Sequence, residues 1–379
     1  MSLISRQQGP IAVYGATGYT GKLVAAKLAA AKADFVISGR NAEKLETLAA
    51  ELHGDVAVKV ARLDDPASLA ELLSDCAVVI DCAGPFMRFG EPVLRAAVET
   101  STHYLDTTGE QPYIQMAFER YGPGASEAQV AVVPAMGFDF APGDMIAALT
   151  AEGMGEVDEV TIAYAWSHFE PSRGTTQTTL EVLGSGGVEW RKLQWLPAKP
   201  FRPERFDFPA PIGRKRMVTY PSGEQITIPR HVPTRQVRTL LTASTFAPHP
   251  RLAPLLQLMA RPTGLALRTP LKRALRAAVN RLPEGPDPAT RASARYTIVC
   301  DVARGEQTRR GMLHGRDTYG VTAAMVAKGA LIAADSGFSA GGALAPSQAF
   351  EPRSFLSGLD DYGIEWEVAG AEQREPVEV

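Results

Sequence analysis

The stretch Val13-Tyr14-Gly15-Ala16-Thr17-Gly18-Tyr19-Thr20-Gly21 carries three glycines in a Gly-x-x-Gly-x-x-Gly pattern. Short apolar residues precede it and a helical pattern follows it, the context in which a glycine-rich turn can cradle phosphate. Gly15 permits the tight turn, Gly18 lets the backbone approach a pyrophosphate, and Gly21 lets the helix lie close to its strand. The N–H groups at the helix start, including those of Ala16, Thr17, Tyr19 and Thr20, would face the phosphates with the helix dipole behind them. The alternative is a glycine turn that holds no ligand.

A dinucleotide site reads its ribose at the end of the second strand. NAD sites place an acid there. Here the residues are Ser38-Gly39-Arg40-Asn41, without an acid. Ser38 can donate to a 2′-phosphate, and Arg40 can pair with it in a fork and stack on the adenine. Lys44 lies one helical turn further on. NADPH is therefore expected rather than NADH; the plainer alternative makes Arg40 a solvated strand-end residue. Two more segments fall where such a fold presents a cofactor. Asp64 could accept from the adenine amino group or cap the helix that begins at Pro66. Small residues in Cys82-Ala83-Gly84-Pro85-Phe86 let a ligand pass close to the backbone.

Hydride transfer asks the protein for geometry and a proton donor. Tyr104 and Asp106 end the fifth strand, at the sheet edge where a nicotinamide belongs, and are the catalytic candidates. Asp139 and Asp144 follow the sixth strand on the same side. The structural alternative packs Tyr104 in the core and uses Asp106 to hold a turn. No Tyr-x-x-x-Lys pair follows strand four or five, which argues against a short-chain dehydrogenase mechanism. His103, His168, His231, His249 and His314 are scattered and compose neither a nucleophile–base set nor a metal site.

Repeated strand–helix units position these residues. Strands are expected at 11–14, 35–38, 56–61, 77–81, 103–106 and 130–134, and helices at 22–31, 42–52, 66–73 and 91–99. Apolar strands alternating with helices imply a doubly wound parallel sheet covered on both faces, a Rossmann fold. Beyond residue 150 the rhythm changes. Half-alternating strands at 156–166 and 296–303 suggest a second, α+β domain on a mixed or antiparallel sheet. More than half of the 28 prolines lie between Pro197 and Pro288, so that stretch should hold short elements and ordered loops. Residues 321–336 read as one alanine-rich helix that packs back on a sheet, and the acidic tail after Glu365 as frayed. The expected organisation is a dinucleotide-binding domain over 1–140, a substrate or dimerisation domain over 141–320 with a proline-rich insertion at 197–290, and a C-terminal helix and tail over 321–379.

Composition bounds the rest. The 379 residues are 45% hydrophobic and 21% charged, with a net charge of −3, so nothing marks a nucleic-acid binder. Cys76, Cys82 and Cys300 give neither a disulfide framework nor a zinc site, which fits a reducing cytoplasm. The chain shows no signal-peptide pattern and no apolar run long enough to span a bilayer. From Arg251 to Leu282 there are seven Lys or Arg residues and no acid. Leu271, Leu275, Val279 and Leu282 recur there at helical spacing. Such a segment can lie on an anionic membrane surface or line a tunnel for an apolar substrate. The reading preferred on general grounds is a helix covering the second sheet with its arginines in water.

Taken together, the Gly15–Gly21 turn, Ser38-Gly39-Arg40-Asn41, Asp81 to Phe86, Tyr104 to Glu110 and Gly137 to Asp144 resemble the saccharopine dehydrogenase-like reductases. The resemblance is strong over residues 10–150 and weaker over 170–290. Within that family the chain is most similar to the actinobacterial trans-acting enoyl reductases, and Ala345 to Phe350 fit that branch. The resemblance implies NADP binding, a Rossmann domain, a second α+β domain and a C-terminal helix that returns to the first. Such reductases are often dimers through the second domain's sheet. A full arginine set for a dicarboxylate amino acid is not found, and Arg173 is the one conspicuous basic residue near the Gly174-Thr175-Thr176 turn. The expected activity is NADPH-dependent reduction of a C=C bond in a small, lipid-like or polyketide-like molecule. C=N reduction, amino-acid dehydrogenation and a non-catalytic NADP-binding sensor are the alternatives.

Overall fold

The computed structural model describes residues 9–52, 54–245 and 271–369. The first sheet is built from β1 (Ile11–Tyr14), β2 (Phe35–Gly39), β3 (Ala57–Val60), β4 (Val78–Asp81), β5 (His103–Asp106) and β6 (Ala131–Val133). Between them run α1 (Tyr19–Ala30), α2 (Ala42–Glu51), α3 (Pro66–Leu73), α4 (Phe86–Glu99), α5 (Gln111–Met116) and α6 (Gly122–Glu127). All pairings are parallel, in the order β6-β5-β4-β1-β2-β3. Successive residues of β1 serve opposite faces: Ile11 and Val13 join one core cluster, Ala12 and Tyr14 the other. Both faces are covered by helices, so β1, β2 and β4 are buried throughout and read as unbroken apolar runs. Edge strand β3 is the exception, with Val60 exposed.

The six strands and four of the helices of the first domain match expectation with two shifts at helix starts, while α5 and α6 were not expected. α1 begins at Tyr19 rather than Lys22. α4 begins at Phe86 rather than Glu91, because Glu110 caps it from a distance: its two carboxylate oxygens accept from the N–H groups of Phe86 (2.7 Å) and Met87 (3.0 Å).

The chain then crosses through α7 (Ala141–Ala151) into a second sheet. Its strands are β7 (Glu159–Ser167), β10 (Pro203–Asp207), β11 (Arg214–Thr219), β12 (Val237–Thr242), β13 (Arg295–Arg304), β14 (Gln307–Arg316) and β16 (Glu365–Val368). The order is β10-β11-β12-β7-β13-β14-β16. Only the β12–β7 pairing is parallel, so the sheet is mixed. A separate hairpin, β8 (Val188–Arg191) and β9 (Gln194–Pro197), and helix α8 (Arg173–Ser185) accompany it. Within the proline-rich stretch, Pro203 opens edge strand β10, a position at which a missing N–H costs no ladder bond.

The C-terminal segment serves both domains. Helix Thr318–Ala334 packs on α1, β4 and β5, and Gly329 is pressed against Leu105 and Met136. The two-residue β15 (Gly342–Ala343) then pairs in parallel with β6 as a seventh strand of the first sheet. Residues 365–368, expected to fray, instead form β16 against β14.

The basic segment is partly described. Residues 251–270 lie outside the described residues. Helix Leu271–Val279 packs against α8 rather than over the second sheet. Arg276 is ion-paired with Glu181 instead of solvated, while Leu275 and Leu282 are exposed. The expected cover helix with an inward apolar stripe is thus corrected for residues 273–282.

Candidate functional site

One cavity of about 1140 Å³ runs along the carboxyl edge of the first sheet and into the second domain. Its first wall is the glycine turn. Gly15 has φ +74°, and a Cβ there would lie 3.0 Å from the backbone of Cys82 and Ala83. Gly21 lies behind the turn, where a Cβ would be 2.4 Å from the Gly15 carbonyl oxygen. No side chain caps the start of α1, so its first N–H groups stay available for an anion. Gly15, Thr17, Gly18, Tyr19 and Thr20 line the cavity, while Ala16 is wholly buried beneath.

At the end of β2, Gly39, Arg40 and Lys44 line the same cavity. A Cβ on Gly39 would meet nothing within 4 Å, so open space adjoins the two cations. Ser38 and Asn41 depart from expectation. Ser38 is completely buried and does not reach the cavity. The Asn41 side chain caps α2, accepting from the Lys44 N–H at 2.9 Å. Asp64 is engaged by Arg62 in a two-pronged pair at 3.0 and 2.9 Å, and a side-chain hydrogen bond to that guanidinium holds its carboxyl below the usual range. Leu63 lines the cavity in its place. The cap of α3 is Asp65, which accepts from Ser68 N–H. After β4, Cys82, Ala83, Gly84 and Phe86 line the wall, with Pro85 behind them. Burial pushes the Cys82 thiol up, which favours the neutral thiol over the reactive thiolate.

The expected catalytic pair does not reach the cavity. Tyr104 is wholly enclosed in the core on the α3–α4 face. Its hydroxyl shares a 2.8 Å hydrogen bond with that of Tyr113 and donates to Asp81 at 3.3 Å. Asp106 accepts from the N–H groups of Thr108 (2.9 Å) and Ala135 (2.8 Å) and organises the turns after β5 and β6. Burial pushes its carboxyl up to about 7. The reason is strand geometry: Tyr104 points to a helix-covered face, and the residues that follow the strand, Thr107 and Gly109, face the cavity instead.

Residues with chemical capacity at the cavity come mainly from beyond β6. Phe138, Asp139 and Phe140 line it from the first domain, and Tyr164, Trp166, Thr178, Tyr220 and Thr239 from the second. The Tyr164 hydroxyl donates to Glu224 at 2.5 Å, and burial pushes that carboxyl up to about 8. Asp139 was legible as a residue after strand six; Tyr164 and Tyr220 carried no local signal, since only interdomain packing brings them here. Asp144 points elsewhere. It bonds His231 Nε2 at 2.8 Å and accepts from the N–H (2.9 Å) and hydroxyl (2.6 Å) of Ser347. Arg173 is held by Glu284 at 3.5 Å and by the carbonyl oxygens of Asn280 and Leu282. Among the described residues no cluster suited to a metal ion occurs.

This fold and cleft define a two-domain dinucleotide-binding protein. Residues 11–133 match the family model described as the saccharopine dehydrogenase NADP binding domain. Over that span the chain is similar to the saccharopine dehydrogenase NADP-binding domains, and the open glycine cradle with Arg40 and Lys44 at its far end fits NADP. A bovine saccharopine dehydrogenase-like oxidoreductase is 30% identical over 161 residues, 38% of each chain. A Mycobacterium tuberculosis protein named as a trans-acting enoyl reductase is 30% identical over 186 residues, 46% of this chain and 44% of that one. A Caenorhabditis elegans lipid droplet localized protein is 31% identical over 199 residues, 48% and 46%. The chain thus spans less than half the length of these relatives. Apo saccharopine dehydrogenase (L-Glu forming) from Saccharomyces cerevisiae superposes with a TM-score of 0.61 over 96% of this chain and 100% of that one, at 14% identity; this likeness concerns the fold.

Proposed function

We propose that the chain is an NADPH-dependent reductase that acts on a C=C bond conjugated to a carbonyl in an apolar biosynthetic intermediate. One observation carries the reading: a continuous cavity joins the glycine turn to an aromatic wall of Phe138, Phe140, Tyr164, Trp166 and Tyr220. A bound cofactor supplies the hydride; the chain orients an apolar acceptor beside it and limits water. Arg173, the basic residue expected to serve a carboxylate, is already occupied by Glu284, which disfavours amino-acid substrates. A similar protein bears the name enoyl reductase, which supports the C=C reading. Reduction of a C=N bond is the second reading, favoured by the carboxylate of Asp139 in the same wall, since a carboxylate stabilises a protonated imine.

The test is fluorescence titration with NADPH and NADH, followed by NADPH consumption with enones and cyclic imines. Tight NADPH binding with turnover of enones supports the proposal. Turnover of imines alone selects the second reading, and tight binding without any turnover selects a sensor.

A peripheral membrane contact through residues 251–282 is also proposed. Exposed Leu275 and Leu282 beside several cations support it, as does similarity to a lipid droplet protein. Among the described residues no helix is long and apolar enough to cross a membrane. Flotation with anionic liposomes at low salt checks the contact, and failure to float rejects it.

A further inference from the structure

We propose that Asp139 couples a proton to the hydride, giving up its carboxyl proton at the nicotinamide end of the cleft as the bound cofactor passes from its neutral reduced form to its cationic oxidised form. The inference rests on the reductase reading above.

Position is the first argument. A dinucleotide on this fold crosses the sheet at the switch point between β1 and β4, so its nicotinamide half belongs over the carboxyl ends of β4, β5 and β6. Asp139 follows β6 and lines the cavity. Its Oδ2 lies 2.8 Å from where a Cβ on Gly109 would sit, and Gly109 lines the cavity after β5. The missing side chain at Gly109 is what leaves room for the carboxyl group.

The second argument is the absence of a partner. Asp81 and Asp106 accept backbone N–H groups, Glu110 caps α4, and Glu224 pairs with Tyr164. Asp139, by contrast, is open to the cavity, and among the described residues it makes no side-chain hydrogen bond or ion pair. The titratable groups that face it are the phenols of Tyr164 on β7, Tyr220 after β11 and Tyr319 on helix Thr318–Ala334. Burial keeps all three neutral at ordinary pH. Behind them lie Glu224, against Tyr164, and Glu110, tied to α8 through Thr178 at 3.1 Å. None of these groups stabilises a carboxylate by charge. Desolvation by the surrounding cleft walls pushes the Asp139 carboxyl up to about 6, although the residue itself is exposed at the cavity. A unit positive charge arriving beside it is the kind of change that would move it down again.

The step balances. The reduced cofactor supplies the hydride and is left with one positive charge. Asp139 acts from its neutral form, which is well populated near pH 6. Its O–H bond breaks, and the proton goes to the substrate atom adjacent to the one that received the hydride. The carboxylate left behind faces the new cation. The substrate gains two hydrogens, and Asp139 recovers its proton from water at the cavity mouth.

The test needs no substrate. Binding of NADP⁺ and of NADPH to the intact protein is followed by calorimetry near pH 6 in buffers of different ionisation enthalpy, which yields the protons released per site. Both cofactors carry the same 2′-phosphate, so the difference between them isolates the ring charge. Wild type should release more protons with NADP⁺ than with NADPH. In Asp139→Asn the two numbers should coincide, and preference for NADP⁺ should fall about tenfold, the equivalent of one pK unit. Equal release by the wild type, or a difference that survives in the variant, overturns the proposal while leaving the reductase reading intact. Failure of the wild type to bind either cofactor defeats that reading instead. Asp139→Ala and thermal unfolding of both variants guard against misfolding, and the wild-type comparison stands without them.

Discussion

At the scale of single residues, position on a strand decides between chemistry and packing. Arg40 lines the cavity beside the open face of Gly39, where a 2′-phosphate can meet its guanidinium. Arg40→Ala is expected to weaken NADPH by about 1.5–3 kcal/mol, the range for a hydrogen bond to a charged group, and to leave NADH nearly unchanged. Paired fluorescence titrations check this, and equal losses would show that Arg40 does not read the phosphate. Tyr104 has the opposite character. Its hydroxyl ends in the core against Tyr113, so Tyr104→Phe should lower unfolding free energy by about 1 kcal/mol with NADPH affinity unchanged. A tenfold loss of affinity without loss of stability would return Tyr104 to the site. In the sequence both residues stood at strand ends with suitable side chains. Nothing local distinguished them, because the alternation of a strand specifies two faces but not which one a ligand sees.

At the scale of elements, the turn between β1 and α1 was legible in its glycines, although the helix starts at Tyr19 rather than at Lys22. Its glycines answer local demands: a positive φ at Gly15 and a backbone contact at Gly21 that excludes any Cβ. Gly21→Ala should cost about 1–3 kcal/mol of stability, as overpacking does, together with cofactor binding. Gly39→Ala meets no neighbour within 4 Å. With no neighbour that must move, it should cost clearly less stability than Gly21→Ala, yet weaken NADPH by filling cofactor space. Urea unfolding and NADPH titration of both variants separate the two roles, and a Gly39→Ala protein that binds NADPH normally would place the cofactor elsewhere. The start of α4 was not legible, because Glu110 supplies its cap from beyond β5. A capping residue close in sequence leaves a pattern; one that arrives through the fold leaves none.

At the scale of the whole molecule, the C-terminal segment ties the two domains together, and Asp144 is one of the ties. Burial by itself would raise its carboxyl, but the charge and hydrogen bond of His231 and the hydroxyl of Ser347 overrule burial and hold it below the usual range. A depressed carboxyl stabilises the fold at pH above its unfolded-state value, and this contribution is lost as pH falls through the folded value. Asp144→Asn is therefore expected to destabilise the protein by about 3 kcal/mol near neutral pH, the scale of breaking a buried pair. The gap to wild type should narrow in acid below the ordinary aspartate range. Urea unfolding of both proteins across pH measures it, and a gap independent of pH would remove ionised Asp144 from the account.

The sequence by itself determined much of the first domain: strand positions, their parallel pairing, the glycine turn and the acid-free end of β2. These follow from short-range rules, namely apolar runs buried on two faces, helices between them, and backbone angles that only glycine adopts freely. Tertiary structure alone decided the second sheet, where β7 finds partners in β12 and β13, far along the chain. It also decided the return of β15 to the first sheet and the assembly of the aromatic wall from both domains. That Asp139 lines the cavity, while Tyr104 and Asp106 do not, belongs to the same level. Whether an acid at a cavity wall has a partner is a property of everything packed around it, and no spacing along the chain encodes that.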